Sequence, residues 1–242
     1  MKALILAAGR GTRLQAVNPQ LPKVLHAVGG TSCLERILRG MQAAGVTEAA
    51  VVIGFQGEQI QEAIGDGSGF GLAVHYVEQD LQRYGTGAAI WTARDFLNEE
   101  AFLFSFGDIL VHPGNYLSLT AIHSQLRMPV LGVNWVADPT AGAAVYLDEQ
   151  DYVQEIVEKP PPGTATTNWN SSGVALLNGN LMHYLADLQP SARGEYELTH
   201  GYQAYLKAGH AVKAHRITGY WQDIGRPEDL ARVRTMAERG EL

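Results

Sequence analysis

Residues 2–23, KALILAAGRGTRLQAVNPQLPK, decide the predicted fold. The apolar run that opens this stretch is short and ends at glycine, which is typical of a β-strand buried on both faces. Gly9 and Gly11 allow the backbone after the strand to approach a ligand closely and to turn its N–H groups toward an anion. Arg13 and Lys23 add mobile positive charge. We therefore interpret the stretch as a binding site for a nucleoside triphosphate.

Composition limits the classes of protein to which the chain can belong. It has 242 residues, of which 46% are hydrophobic and 18% charged, as is usual for a soluble globular protein. No apolar run approaches the ~20 residues that span a bilayer, and the opening run is too short for a signal-peptide core. The single cysteine, Cys33, cannot form an internal disulfide. We predict a cytoplasmic protein with no membrane partner.

The distribution of charge favours a small polyanionic ligand. The net charge of −7 argues against a general nucleic-acid binder, so we expect no nucleic-acid partner. Residues 1–34 nevertheless contain no acidic residue and four basic ones, Lys2, Arg10, Arg13 and Lys23. Positive charge confined to one loop of an acidic protein suits a triphosphate.

Segments with the patterns of strands and helices alternate up to about residue 140. The predicted strands are 2–8, 49–53, 72–77, 101–106 and 128–133. The predicted helices are 31–44, 57–64, 87–97 and 115–125. This alternation predicts an α/β fold with a doubly wound, mostly parallel (mixed) sheet and helices on both faces. Ligands bind at the carboxyl ends of the strands in such sheets, so we expect the 9–13 loop, Gln79 and Asp108 at one edge.

The rhythm changes after residue 140, where shorter strand-like segments follow one another. These are 143–147, 153–157, 174–177 and 211–217, and helical patterns cover 179–188, 197–208 and 226–239. No repeat or linker interrupts the chain. We therefore predict a single domain over residues 1–242, in which a nucleotide-binding half, 1–140, precedes a second half, 141–242, that covers the sheet edge and ends in a closing helix.

Two common nucleotide-binding motifs do not fit the first loop. A dinucleotide-binding fold needs a third glycine where Leu14 stands and an acid at the end of the second strand, which instead ends at Ile53-Gly54. A Walker A motif needs Gly-Lys-Ser/Thr at a fixed distance after the first glycine, and Gly11 has no such continuation. The loop is therefore a phosphate-binding loop of another kind.

The stretch LAAGRGTRL (6–14), followed by LPKVLHAVGG (21–30), resembles the sequence signature of the sugar-1-phosphate nucleotidyltransferases, the enzymes that make nucleotide-sugars. The resemblance covers nearly the whole chain. It continues through FSFGDIL (104–110), IVEKP (156–160), GEYELT (194–199) and WQDIGRPEDL (221–230). It implies a Rossmann-like nucleotidyltransferase fold, in agreement with the pattern above, and places the sugar-binding elements in the second half.

The resemblance also implies a reaction and its residues. A nucleoside triphosphate and a sugar 1-phosphate would give a nucleotide-sugar and pyrophosphate, with Mg²⁺ as cofactor. The catalytic residues implied are Arg13, Lys23, Asp108 and Asp223, of which Asp108 and Asp223 would bind the metal. The nucleotide-binding residues implied are Leu6, Ala7, Ala8, Gly9, Gly11, Thr12, Gln79, Gly85 and Thr86. The sugar-phosphate-binding residues implied are Gly142, Glu158, Lys159 and Asn170.

Several alternatives remain open from the sequence. We predict UTP or dTTP as donor, because the Gln79 amide both donates and accepts hydrogen bonds, as uracil and thymine require. The acceptor would be a hexose-type sugar such as glucose 1-phosphate or N-acetylglucosamine 1-phosphate. A GTP- or CTP-using enzyme acting on mannose or heptose 1-phosphate, and a non-catalytic nucleotide-sugar-binding paralogue, are the rivals. A homo-oligomer is left open, and because the chain ends at Leu242, we expect no acetyltransferase domain like that of the bifunctional uridylyltransferases.

Overall fold

In the computed structural model, which describes residues 1–80 and 82–242, nine of the strands form one mixed sheet. The strands are β1 (Lys2–Leu6), β2 (Ala27–Val28), β3 (Thr31–Ser32), β4 (Glu48–Ile53), β5 (Ala73–Glu78), β6 (Phe102–Phe106), β7 (Ile109–Val111), β8 (Val130–Trp135), β9 (Ala143–Leu147), β10 (Val153–Glu158), β11 (Trp169–Leu177), β12 (Lys213–Arg216) and β13 (Trp221–Asp223). The helices are α1 (Cys33–Ala43), α2 (Gly57–Ile64), α3 (Thr86–Thr92), α4 (Arg94–Leu97), α5 (Gly114–Leu126), α6 (Gly179–Ala186), α7 (Leu198–Lys207) and α8 (Pro227–Glu238).

The order of strands along the sheet places its topological switch point between β1 and β6. The order is β10-β9-β11-β6-β1-β4-β5, with β8 pairing both β11 and β12. β1 runs parallel to β4 on one side and to β6 on the other. The chain continues from β1 to the β4 side and from β6 to the β8 and β11 side, so the connections from the carboxyl ends of β1 and β6 diverge. A crevice forms at such a point in a doubly wound sheet. The predicted α/β fold with a mixed, mostly parallel sheet is therefore confirmed, with antiparallel strands β9, β10 and β11 on the β6 side.

Alternate residues of β1 pack into two different cores. Ala3 and Ile5 face a core formed with α1, α2, α5 and α8. Leu4 faces the opposite core, formed with α3, α6 and α7. All three side chains are completely buried, which explains why the strand is a continuous apolar run. Burying a leucine or isoleucine side chain contributes about 1.5–3 kcal/mol, so both layers hold β1 in place.

Helix α1, Cys33–Ala43, lies within the predicted helix 31–44. The Ser32 hydroxyl accepts from the Glu35 N–H at 3.2 Å, and the Glu35 carboxylate accepts from the Ser32 N–H at 2.6 Å. This reciprocal capping box makes Ser32 the N-cap, so that residues 31–32, predicted as helical, precede the helix as β3. Gly45 follows the helix with a φ of +88°, the left-handed conformation that glycine adopts just after a helix end.

The chief departures from the prediction lie in short or polar strands. β7 and β13 were not predicted, because three residues each are too few to show a period, yet they pair with one another. β11 begins at Trp169 rather than at 174, since its first residues are polar and lack the apolar signal. The predicted helix 87–97 is divided at Ala93 into α3 and α4. Among the described residues, no helix is long and apolar enough to cross a membrane.

Candidate active site

A cleft with a volume of about 510 Å³ opens at the carboxyl ends of β1 and β6, at the topological switch point of the sheet. This volume is in the range of small-molecule and cofactor sites. Most of the predicted site residues line it: Leu6, Ala7, Ala8, Gly9, Arg13, Lys23, Gln79, Gly85, Thr86, Asp108, Gly142, Glu158, Lys159, Asn170 and Asp223. The structure thus brings to one cavity residues that are far apart in the sequence.

The loop after β1 folds back onto Lys23. Gly11 has a φ of +57°, in the left-handed region that favours glycine, and a Cβ there would lie 2.8 Å from the Cβ of Lys23. The Leu14 N–H donates to the Gly11 carbonyl at 2.9 Å and closes the turn. The two ends of the opening motif therefore contact each other. Thr12 lies on the same loop and is exposed. Of the predicted site residues, all of which lie in the described part of the chain, Gly11 and Thr12 do not belong to the cleft lining.

Four charged side chains meet at the topological switch point. We call these residues, Arg13, Lys23, Asp108 and Asp223, the four-charge cluster. The Lys23 ammonium forms an ion pair with the Asp108 carboxylate. β13 pairs with β7, and the Ile224 N–H donates to the Asp108 carbonyl at 2.9 Å, so the segments carrying both aspartates are joined. The Arg13 Nη2 and the Asp223 Oδ1 each lie 3.4 Å from the point that a Cβ on Gly225 would occupy.

The electrostatics of this cluster fit a divalent cation. Burial raises the pKa of Asp223, and the negative charge of Asp108 raises it further. Two neighbouring carboxylates of this kind gain when a cation binds between them and phosphate oxygens, and Mg²⁺ characteristically takes one or two carboxylates together with phosphate and water. No group of three or more His, Cys, Asp or Glu residues in the described part of the chain could hold a metal alone. The residues present therefore fit Mg²⁺ shared with a bound phosphate.

A second part of the cleft joins α3 to the start of α7. Gln79 follows β5, and its N–H donates to the Ile53 carbonyl at 2.9 Å, so its side chain stands at the sheet edge. The Gly85 backbone lies against that of Tyr196 so closely that a Cβ on Gly85 would overlap it. The Thr86 hydroxyl accepts from the Leu198 N–H at 3.0 Å and so caps α7. The predicted nucleotide-binding residues Gly85 and Thr86 are thus joined to the second half of the chain by close packing and by a hydrogen bond.

The Gly142 turn is held by two neighbours. The Lys159 N–H donates to the Gly142 carbonyl at 2.8 Å, and the Asn170 Oδ1 accepts from the Ala143 N–H at 3.1 Å. The Asn170 amide nitrogen in turn donates to the Asn134 side chain and to a backbone carbonyl. Asn170 is 7% exposed, so its contacts within the protein fix the shape of the cleft wall.

The structure adds cleft residues to which the sequence analysis assigned no role. Glu195, Glu197, Thr199 and Tyr202 line the cleft beside Glu158. The signal available was the GEYELT stretch, which carries two acidic residues at alternate positions, but nothing local shows that they face Glu158 across the fold. Burial raises the pKa of Glu158, and the negative charge of Glu197 raises it further, so these carboxylates share one environment.

Comparisons with known proteins agree with this architecture. A family model described as nucleotidyl transferase matches residues 2–239. The low-salt glycan biosynthesis nucleotidyltransferase Agl11 of Haloferax volcanii is 31% identical over 233 residues, which cover 95% of this chain and 64% of that protein. Glucose-1-phosphate thymidylyltransferase of Streptomyces griseus is 32% identical over 233 residues, with coverages of 96% and 65%. Bifunctional protein GlmU of Methanococcus maripaludis is 31% identical over 232 residues, with coverages of 95% and 53%.

The chain therefore spans about half to two thirds of the length of these curated relatives. A solved structure of UDP-glucose pyrophosphorylase complexed with UDP-glucose has a TM-score of 0.89 and 20% identity, and covers 99% of this chain and 98% of that one, which shows a shared fold. The family match spans almost every residue from β1 to α8, and the relatives match over more than nine tenths of the chain, so the chain belongs to the nucleotidyl transferase family.

Proposed function

We propose that this chain transfers a nucleoside monophosphate from UTP or dTTP to a hexose-type sugar 1-phosphate, with release of pyrophosphate. The observation that carries the proposal is the four-charge cluster at the topological switch point of the sheet. Two cations and two carboxylates, delivered by separate segments, match the needs of a triphosphate and its divalent cation. Residues 1–140 would bind the nucleotide, and residues 141–242 would bind the sugar phosphate.

The reaction needs no protein nucleophile. An oxygen of the sugar phosphate attacks the α-phosphorus in line with the departing pyrophosphate, and the protein positions both groups and neutralises their charge. Arg13 would bind the β- and γ-phosphates, and Lys23 would bridge the α-phosphate and the sugar phosphate. Asp108 and Asp223 would hold Mg²⁺, which when bound neutralises phosphate charge. Lys23 stands beside Asp108, so its ammonium is already at this end of the cleft.

The preference for a pyrimidine rests on the second part of the cleft. Gln79 would read the base edge with its amide, and the close-packed Gly85-Thr86 turn would cover the base and ribose. Leu6, Ala7, Ala8 and Gly9 would form the opposite wall, and Gly11 and Thr12 would face the phosphates. Gly142, Glu158, Lys159 and Asn170 would form the sugar-phosphate side. A cytoplasmic location stays a prediction from the sequence.

A substrate grid tests the proposal. UTP, dTTP, GTP, CTP and ATP would each be combined with glucose, N-acetylglucosamine and mannose 1-phosphates in the presence of Mg²⁺, with pyrophosphate release as the readout. We expect the highest kcat/KM with UTP or dTTP and a gluco-configured acceptor. A maximum with GTP or CTP would replace the pyrimidine assignment by the rival donor. Nucleotide binding without pyrophosphate release in any combination would favour a non-catalytic nucleotide-sugar-binding paralogue.

A further inference from the structure

The loop that follows β1 has few attachments to the rest of the protein, and we call its residues, 9–21, the β1 loop. The Leu14 side chain is 1% exposed and packs into the core on the α1 side, whereas residues 16–20 are all exposed. Among the hydrogen bonds of the described residues, one reaches the β1 loop from another part of the chain. In this bond the Gln56 Nε2 donates to the Pro19 carbonyl at 3.4 Å. The outer part of the loop is therefore attached through one side chain.

The turn from β4 to α2, residues 54–56, lies against both ends of the β1 loop. The Phe55 N–H donates to the Ala8 carbonyl at 3.4 Å, and a Cβ on Gly54 would lie 3.1 Å from the same carbonyl oxygen. Ala8 immediately precedes the loop, and Pro19 lies near its far end. β4 itself is paired to β1 and β5 inside the sheet. The turn is therefore a rigid support to which the loop can be fixed.

The backbone of Gln56 has an unfavourable conformation. Its φ is +56° and its ψ is +34°, in the left-handed region that glycine adopts at little cost and a residue with a Cβ does not. Gly54 and Gly57 stand on either side of this turn position, and neither has a positive φ. The chain thus carries a glutamine where a glycine would fit the backbone better. A residue kept in a costly conformation indicates that its side chain has a role.

The amide of Gln56 is also incompletely paired. The Pro19 carbonyl only accepts hydrogen bonds, so the amide nitrogen faces it. The Oε1 atom is buried and has no hydrogen-bond partner among the described residues, which is a further cost to the folded state. Neither the backbone nor the Oε1 atom of Gln56 therefore favours this turn. The contact with the β1 loop is the interaction that the side chain provides.

We propose that Gln56 is a positioning residue for the nucleotide, whose amide fixes the outer part of the β1 loop so that Gly11 and Arg13 stand where the triphosphate binds. The inference rests on the proposed function in that the β1 loop is taken to bind the phosphates. Gln56 is a described residue outside the lining of the cleft, so it acts through the loop rather than by touching the ligand. A loop held in its binding conformation raises the fraction of the protein that is competent to bind, and so lowers the apparent Kd.

Hydrogen–deuterium exchange of the ligand-free protein tests the attachment of the loop. Gln56→Met nearly keeps the length of the side chain but removes the amide, whereas Gln56→Gly removes the amide and the backbone cost together. We expect faster exchange of residues 10–21 in both variants. Gln61→Met, exposed on α2, and Arg127→Gly, at an exposed position with the same φ of +56°, are matched controls that should leave this exchange unchanged. Unaltered exchange of residues 10–21 in both Gln56 variants would overturn the inference.

Titration calorimetry with UTP and Mg²⁺ measures the consequence for the nucleotide. We expect the Kd of UTP to rise about three- to tenfold in both Gln56 variants, the effect of losing one hydrogen bond, with the KM for glucose 1-phosphate unchanged. A wild-type Kd in Gln56→Met, despite faster exchange of the loop, would overturn the positioning role. A wild-type protein that binds UTP but releases no pyrophosphate would overturn the proposed function alone, because neither the Kd nor the exchange depends on turnover. Lack of UTP binding by the wild type would overturn both proposals.

The melting temperature separates this role from a structural one. Gln56→Gly removes the left-handed conformation of a residue with a Cβ, so its melting temperature should equal or exceed that of the wild type even though its Kd for UTP rises. Gln56→Met keeps the backbone cost and should melt no higher than Gln56→Gly. A Gln56→Gly protein that melts below the wild type would show that the side chain stabilises the fold, and would overturn the inference.

Discussion

In one part of the cleft two cations meet two carboxylates, whereas in another part three carboxylates, Glu158, Glu195 and Glu197, lie within 3.9 Å of Arg193, and we call these three glutamates the carboxylate cluster. The four-charge cluster has no net charge of its own, and its members come from the first loop, the end of β6 and β13. It offers cations to the phosphate groups of a polyanion and carboxylates to a metal ion. Its charges suit a ligand that brings phosphate groups together with a cation.

The carboxylate cluster is acidic, and its most buried member, Glu197, accepts from Arg193, while Glu158 accepts from Thr199. A negative environment of this kind discourages binding of phosphate and accepts donors from an uncharged or cationic group. The contrast predicts that the two parts of the cleft bind different parts of the proposed ligand, the phosphates at the four-charge cluster and the sugar at the carboxylate cluster. Loss of a group at the first end should therefore affect turnover, and loss at the second should affect stability or choice of acceptor.

The largest effect is expected at the four-charge cluster. Lys23→Ala removes the cation that pairs with Asp108, and we expect kcat to fall by on the order of 100-fold or more, because removal of one well-placed charge-stabilising group from such a site has this cost. Asp108→Asn should have a comparable effect. Pyrophosphate release gives kcat, and circular dichroism checks that both proteins remain folded. Lys207→Ala, an exposed change at the end of α7, should match the wild type. Near-normal turnover in either cluster variant would remove that residue from catalysis.

The difference between the two ends also explains what the sequence could predict. The first end contains a continuous motif, since Gly11 and Lys23 belong to one loop and contact each other. The carboxylate cluster depends on contacts between α7 and the antiparallel strand β10, which no local pattern specifies. Sequence patterns predicted the parallel strands of the sheet, because the apolar runs there are continuous. They did not predict β7 and β13, whose pairing places Asp223 beside Asp108.

Asn170 illustrates a further limit of the sequence. It is predicted to contact the sugar, and it does line the cleft. Its amide also bonds to Ala143 and Asn134, so much of its hydrogen-bonding capacity supports the cleft wall. The three-dimensional packing decides whether a polar side chain makes its hydrogen bonds within the protein or can make them to a ligand. Residue type alone does not show which is the case. Its contact with the sugar stays a prediction.

The next largest effect is expected at Gly9. A Cβ on Gly9 would meet no atom within 4 Å, so Gly9→Ala should not lower the free energy of unfolding. The methyl group would instead project from the loop where the nucleotide is proposed to bind, and we expect the nucleotide KM to rise about tenfold because close backbone approach is lost. Gly69→Ala, also without neighbours within 4 Å and outside the lining of the cleft, is the control. A nucleotide KM that matches the control would show that this glycine is not needed for close approach.

Gly142 at the other end should respond in the opposite way. A Cβ there would overlap the Asn170 Oδ1, which is fixed by its own bonds, so Gly142→Ala should lower the free energy of unfolding by about 1–3 kcal/mol through overpacking. Urea unfolding with an unchanged m-value would measure the loss. Gly9→Ala serves as the comparison, since it adds the same methyl group without a clash. Equal stability of the two variants would mean that the Asn170 contact yields at no cost.

The smallest effect is expected at Glu158 and depends on pH. Burial and the charge of Glu197 raise the pKa of Glu158 in the folded protein, so the folded state binds this proton more tightly than the unfolded state does. Ionised Glu158 therefore lowers stability at neutral pH, and this cost disappears as the pH falls below the ordinary glutamate pKa, where both states are protonated. Glu158→Gln should raise the melting temperature at pH 7 by at most about 3 °C and leave it nearly unchanged near pH 4. The control Glu155→Gln should show no change in melting temperature at either pH. If Glu158→Gln melts below the wild type at pH 7, the hydrogen bonds of Glu158 to Arg193 and Thr199 outweigh the cost of its buried charge.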